Sequence, residues 1–252
     1  MMVIGNIIER IIMTGVADSD SSIRIMVLKA LDDRFNHHLI QPDNLRSLFI
    51  PMNDEIFDVR QESVDIIGRL TAYKPSVALP LMRKILIQLL TDLEYGLAKQ
   101  KEEAAQLLKI VVSRANIHIK PYIDPIILVL IPKANDVKNT PGVTSKILAA
   151  LGEISLIGEQ DLLPYVDDIM PLIIDCLQDQ SSVMKREAAL KMLGQLSTST
   201  CWVVEPYLKY PKLLNLLIQI LKVDQSLNIR REAVRVMGIL GAVDPYLHKV
   251  LK

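Results

Sequence analysis

Apolar positions fall at helical spacing in stretches of the chain, and the stretches themselves return as one phrase roughly every forty residues, the length of a helical repeat. The phrase is an acidic loop, a basic residue, then an apolar helix crowded with small residues. It is clearest at Asp54-Glu-Ile-Phe-Asp-Val-Arg60 running on to Ile67-Gly68-Arg-Leu70, and at Asp224-Gln-Ser-Leu-Asn-Ile-Arg230 running on to Met237-Gly238-Ile-Leu240. Aligning on the small or polar residue late in each phrase gives Asp32, Gly68, Lys109, Gly152, Gly194 and Gly238, which stand 36 to 44 residues apart. The residue before each anchor is apolar throughout: Leu31, Ile67, Leu108, Leu151, Leu193 and Met237. This column predicts a continuous buried stripe. Eight positions before the anchors stand Arg24, Arg60, Lys101, Thr144, Arg186 and Arg230, basic in five of six cases.

A period of this size fits two-helix repeats of the HEAT or armadillo type better than shorter repeats. The predicted fold is all-α, a right-handed α-solenoid of about six HEAT-type antiparallel helix pairs. Residues 1–252 form a single solenoid segment, with units near 1–37, 38–74, 75–115, 116–158, 159–200 and 201–243 and a further unit opening at 244–252. First helices are expected over 3–13, 43–51, 76–92, 121–132, 163–178 and 206–222. Second helices are expected over 21–34, 57–71, 99–113, 143–157, 183–197 and 228–241. The turns within pairs, such as Ala17–Ser22 and Asp179–Ser182, supply Asp and Ser side chains to cap the helices that follow. Lys133 to Pro141 is the longest linker and the one candidate for a mobile excursion.

Three columns carry specific expectations. Pro80, Pro125, Pro171 and Pro211 sit within first helices, where a proline removes a hydrogen bond and kinks the helix; the alternative is that several simply mark helix starts. Gly68, Gly152, Gly194 and Gly238 lie inside second helices at a cost of about 1 kcal/mol each relative to alanine, which predicts close approach of a neighbouring helix. Asp18, Asp54 and Asp224 precede Arg24, Arg60 and Arg230 by six residues. An arginine of one unit, Arg186 included, can therefore bridge to the aspartate turn of its neighbour as a polar ladder. The competing reading is a set of solvated charges worth little each.

Composition narrows function more than it specifies it. Half of the residues are hydrophobic and only 4% aromatic, so Leu, Ile and Val must carry the packing. With 29 basic and 29 acidic residues the formal charge is zero, and no basic block suggests a nucleic-acid groove. No apolar run approaches the ~20 residues of a membrane span, and the N-terminus lacks signal-peptide features. Cys176 and Cys201 are isolated, as expected of thiols in a reducing compartment. His37, His38, His118 and His248 form no metal-ligand pattern, and no phosphate loop, kinase catalytic loop or nucleophile elbow is present. No catalytic residue, metal site or cofactor is assigned. Trp202, Tyr207 and Tyr210 gather around one first helix, with a structural role at a repeat junction favoured over a partner-binding spot.

Beyond the generic repeat, five strings resemble the target-of-rapamycin (TOR) kinases, in the HEAT-repeat region upstream of the kinase domain. They are LDDRFNHHL (Leu31–Leu39), MNDEIFDVR (Met52–Arg60), LMRKILIQLLTDLE (Leu81–Glu94), LGQLSTSTCWVVEPYLKYPKLL (Leu193–Leu214) and RREAVRVMGILGAVDPYLHK (Arg230–Lys249). The resemblance implies a non-catalytic scaffold fragment of a large Ser/Thr protein kinase of nutrient and growth signalling. Implied partners are a Raptor-like or other regulatory subunit, a second TOR protomer and the rest of the parent chain. Implied location is cytoplasmic, with the parent complex on the cytosolic face of lysosomal, vacuolar or other endomembranes. Arg83, Lys84, Tyr207, Lys209 and Tyr210 are the candidate partner surface. The alternative is a free-standing HEAT adaptor or transport receptor, importin-like or phosphatase-scaffold-like.

Overall fold

Helices alternate with short polar turns along residues 2–241, which the computed structural model describes, with side chains described from Gly5 onward. No strand occurs among these residues. The chain divides into two compact units, one of Met1–Tyr95 with Leu107–Pro121 and one of Gly96–Gln106 with Tyr122–Lys252. The expected opening of a further repeat at 244–252 lies outside the described residues.

In the first unit the helices are α1 (Met2–Gly15), α2 (Ser21–Ala30), α3 (Asn36–Leu39), α4 (Pro42–Phe49), α5 (Phe57–Tyr73), α6 (Pro75–Tyr95) and the C-terminal half of α7 (Ala98–Ala115). Helix α1 packs on α2 and α4, α2 on α5, and α5 on α4 and α6. In the second unit stand α8 (Ile123–Ala134), α9 (Pro141–Gly158), α10 (Val166–Gln178), α11 (Val183–Thr200), α12 (Glu205–Lys209), α13 (Lys212–Val223) and α14 (Leu227–Leu240). Here α9, α11 and α14 lie side by side as one layer. Helices α8, α10 and α13 cover them as the other, each packed on the helix that follows it. That two-layer stacking of antiparallel pairs is the all-α solenoid arrangement the repeat predicts.

The local reasons are visible at the helix ends. Asp20, Thr140, Ser182 and Ser226 accept backbone N–H groups from the first turns of α2, α9, α11 and α14. At the other end, α7, α9, α11 and α14 are each followed by a residue of positive φ: Asn116, Glu159, Cys201 and Gly241. A left-handed residue there stops the helix and redirects the chain. Only Asn116 and Gly241 are residue types suited to it.

Several expected boundaries shift for identifiable reasons. Helix α2 ends at Ala30 instead of 34, because the Asp32 carboxylate accepts the Arg34 N–H and starts a separate turn. The expected helix over 206–222 is two helices, α12 and α13: Pro211 has no N–H to donate, and Tyr210 before it leaves the helical region at φ −122°, ψ 76°. Pro125 falls in the first turn of α8, where no bond is lost, while Pro80 and Pro171 lie inside α6 and α10. The short turn of residues 135–140 is all that stands between α8 and α9, held by Asn139 donating to the Lys133 carbonyl at 2.5 Å.

The apolar column is buried at Leu31, Ile67, Leu108, Leu151 and Leu193. Burying one such side chain contributes about 1.5–3 kcal/mol. Met237 departs from the expectation and is partly exposed, because α14 packs through Ile229, Ala233, Val236 and Leu240. The glycine column also divides. A Cβ on Gly68 would stand 2.7 Å from the Cβ of Arg114, a true close approach, whereas one on Gly152 meets only the movable amide tip of Gln195. At Gly194 it meets the tip of Arg235 at 2.8 Å and a Val236 methyl at 3.3 Å, and at Gly238 nothing within 4 Å. Gly15, which the repeat does not mark, is as tight, with Val27 carbons from 2.6 Å.

Candidate interaction surface

The polar turns between paired helices repeat one construction. In each, an aspartate carboxylate accepts the N–H two residues on: Asp18 from Asp20, Asp54 from Ile56, Asp179 from Ser181 and Asp224 from Ser226, at 2.8 to 2.9 Å. The arginine in the first turn of the second helix then donates to the carbonyls of that same turn. Arg24 Nη1 reaches Asp18 O at 2.8 Å and Ser19 O at 3.3 Å, and Arg186 Nη1 reaches Asp179 O at 2.9 Å and Gln180 O at 3.0 Å. Arg60 does likewise toward Asp54 O and Glu55 O.

The remaining edge of the guanidinium faces the next turn. Arg24 Nη2 donates to Asp54 Oδ1 at 2.9 Å and its Nε lies 2.7 Å from Oδ2. Arg186 Nε donates to Asp224 Oδ2 at 2.7 Å. Both pairs are nearly closed to solvent, with side chains 5 to 10% exposed. One planar cation thus joins two consecutive turns, for which its fixed fork of donors is better suited than a lysine point charge. The bond to Asp54 raises the Arg24 pKa above its ordinary value. The pattern breaks where the basic column holds Thr144. Asp179 then takes Lys185 from its own turn at 3.1 Å instead. Ser181 foremost, then Lys185, hold its carboxyl below the usual range.

Of the sequence candidates, Asp18, Arg24 and Asp54 come together in the first unit, and Arg186 and Asp224 in the second. Arg60 bonds within its own turn, and Arg230 is half-buried with its Nε shielded from solvent. The six-residue rule missed Asp179, seven residues before Arg186, although the string Asp-Gln-Ser occurs at both Asp179 and Asp224. It also missed Arg69, whose Nη2 donates to the Leu31 carbonyl at 2.6 Å, and the Arg114–Asp65 pair at 2.6 Å.

The candidate partner surface needs one correction. Tyr207 is only 1% exposed and belongs to the core. Val204, at φ 66°, turns the chain sharply and donates to Leu240 O at 3.1 Å, so that the short α12 lays Pro206 and Tyr207 inward. Burial pushes the Tyr207 phenol pKa up. Lys209 is exposed and pairs with Asp167, whose carboxylate the half-exposed Tyr210 hydroxyl approaches at 3.5 Å. The Tyr210 ring stands edge-on to the buried Trp202, 6.3 Å away. Arg83 and Lys84 are exposed on α6, in the other unit. Cys176 is buried, which drives its thiol up to about 11, while Cys201 is exposed.

Among the described residues no group of three or more His, Cys, Asp or Glu could hold a metal, and no helix is long and apolar enough to cross a membrane. What the geometry offers is a stack of helices with cross-braced turns and exposed outer faces.

Sequence comparison decides which stack this is. Residues 203–252 match the family model described as Serine/threonine-protein kinase mTOR domain. The chain is 49% identical over 247 residues to the Serine/threonine-protein kinase tor1 of Schizosaccharomyces pombe, which covers 97% of this chain and 10% of that protein. It is 44% identical over 250 residues to TOR2 of Saccharomyces cerevisiae and 40% identical over 252 residues to mTor of Drosophila melanogaster, at 99% of this chain and 10% of each relative. The chain is a segment of the TOR kinase family. It spans about a tenth of the length of these curated relatives, so the strings singled out in the sequence lie in a stretch that the TOR proteins share. Among solved structures, the crystal structure of Kap121p matches with a TM-score of 0.68 at 17% identity, over 94% of this chain and 24% of that one. An engineered protein matches with a TM-score of 0.61 at 15% identity, over 94% and 97% of the two chains. At such identities the likeness is one of fold.

Proposed function

We propose that this TOR segment is a non-catalytic scaffold that positions other polypeptides in the assembly of a TOR complex in nutrient and growth signalling. The observation that carries the reading is identity of 34 to 49% along nearly the whole chain to one tenth of much longer Ser/Thr protein kinases. Across these relatives the sequence has been kept in a stretch whose described residues serve packing, capping and cross-bracing. The partners that suit it are a Raptor-like or other regulatory subunit, a second TOR protomer and the remainder of the parent chain. The setting is cytoplasmic, with the parent complex held peripherally on cytosol-facing membranes. Binding on such a scaffold is spread over exposed helix faces and turns, Arg83, Lys84 and Lys209 among them, with a few anchors carrying most of the affinity. The same architecture in Kap121p accommodates proteins, since that protein has been crystallised bound to Pho4p and to Nup53p.

The test uses the full-length parent. Charge reversal at Arg83, Lys84 and Lys209 should reduce co-purification of the regulatory subunit while activity on a generic peptide stays close to that of the parent. Undiminished assembly after every exposed face of residues 76–214 has been altered would remove the scaffold reading. The isolated chain should phosphorylate nothing above a blank reaction.

A further inference from the structure

An open groove of about 770 Å³ lies in the second unit between two consecutive braced turns, Asp179–Ser182 and Asp224–Ser226. Its volume is in the range of ligand-binding clefts. One wall is a single face of α13, where Lys212, Asn215, Gln219 and Val223 follow one another along the helix and are all exposed. The other wall carries Gln178, Gln180 and Val183, also exposed. The Arg186–Asp224 pair lines the groove, its two charges satisfied by each other and by the turns.

Amide side chains each hold a donor and an acceptor, which is what one peptide unit presents in return. Asn215 and Gln219 are one helical turn apart, so their steps along the groove are about 6 Å. Every second residue of an extended chain advances about 6.6 Å and offers the same edge. Two amides on α13 can therefore address alternate peptide units of one extended strand, and Gln178 and Gln180 line the same groove. Lys212, at one end of this face, makes no ion pair among the described residues. At the other end Val223 is 68% exposed and Val183 across the groove 49%, an apolar cost with no return inside the segment.

We propose that this groove binds an extended peptide segment of a partner protein, with an acidic side chain at Lys212 and an aliphatic one between Val183 and Val223. The 12 residues from Lys212 to Val223 cover about 16 Å of helix from first to last, the reach of roughly five extended residues. The acidic and aliphatic residues of the ligand are therefore about five positions apart. The claim rests on the scaffold reading but is narrower, since it commits one groove to one shape of ligand.

The test is a displayed library of random decapeptides selected against the full 252-residue chain. The selected peptides should carry an acidic residue about five positions from an aliphatic one. The double substitution Asn215→Ala with Gln219→Ala should weaken them at least about tenfold, the loss expected for two exposed hydrogen-bonding groups. Lys212→Glu, on the surface where folding is not at stake, should switch the selection from acidic to basic residues. Peptides with apolar residues at helical spacing, an unchanged preference on Lys212→Glu, or no enrichment would each overturn the proposal. None of these outcomes alters co-purification of the regulatory subunit with the parent, so the groove and the scaffold reading fail separately.

Discussion

Replacing Arg186 by alanine removes a cation that is 8% exposed and holds two consecutive turns together. The side chain donates to Asp179 O at 2.9 Å, Gln180 O at 3.0 Å and Asp224 Oδ2 at 2.7 Å. A hydrogen bond from a charged donor contributes about 1.5–3 kcal/mol, and breaking a buried pair by deleting one partner costs about 3–5 kcal/mol. Here Asp224 keeps the Ser226 N–H, and the carbonyls of Asp179 and Gln180 sit in a turn open to water. The lower end therefore applies, and Arg186→Ala should cost about 3 kcal/mol. Asp224→Ala alone should cost somewhat less. The double variant should fall short of the sum by about 1–3 kcal/mol, because the second deletion removes a group already unpaired. Urea unfolding of the full chain followed by far-UV circular dichroism measures all three. Arg186→Ala within about 0.5 kcal/mol of the parent, the range of ordinary surface changes, would show that these are solvated charges and that the ladder reasoning is wrong.

Two glycines from one sequence column should respond with opposite sign. Gly68→Ala places a Cβ 2.7 Å from Arg114 Cβ and should destabilise by about 1–3 kcal/mol, whereas Gly238→Ala meets open space and should stabilise by up to about 1 kcal/mol; paired thermal melts decide it. Iodoacetamide at mild alkaline pH should label the exposed Cys201 and leave Cys176, with its thiol pushed up to about 11, unmodified until denaturant is added. Asp179 has a folded-state pKa below its unfolded value, so its contribution is complete above about pH 4 and is lost as pH falls through the folded value. Asp179→Asn should accordingly be less stable than the parent at neutral pH, with the two curves converging in acid.

The period of the helices was legible because each unit buries the same stripe, and Ile67, Leu108, Leu151 and Leu193 show no exposure at all. Arg24 and Arg186 keep their places in the arginine column for a related reason: a planar cation that reaches two turns at once tolerates few substitutes. What escaped was set by contacts that spacing does not encode. A structural role for Trp202, Tyr207 and Tyr210 was the favoured reading of the sequence, but the full burial that removes Tyr207 from the candidate surface depends on a positive-φ turn at Val204, a residue whose β-branch gives no hint of it. Glu159 and Cys201 end helices in conformations that a sequence reader assigns to glycine or asparagine. Gly68 and Gly238 are identical as letters, and only the presence of Arg114 beside one of them separates a required glycine from a tolerated one. The groove beside α13 escaped because its amides are ordinary surface residues until two turns are placed side by side.

Chemical cross-linking of the intact parent complex, read by mass spectrometry, tests the scaffold claim most directly. Exposed lysines of this stretch, Lys84 and Lys209 among them, should link to a second polypeptide, either a regulatory subunit or another protomer. Links confined to the parent's own chain, in a complex whose other surfaces do report partner contacts, would contradict it.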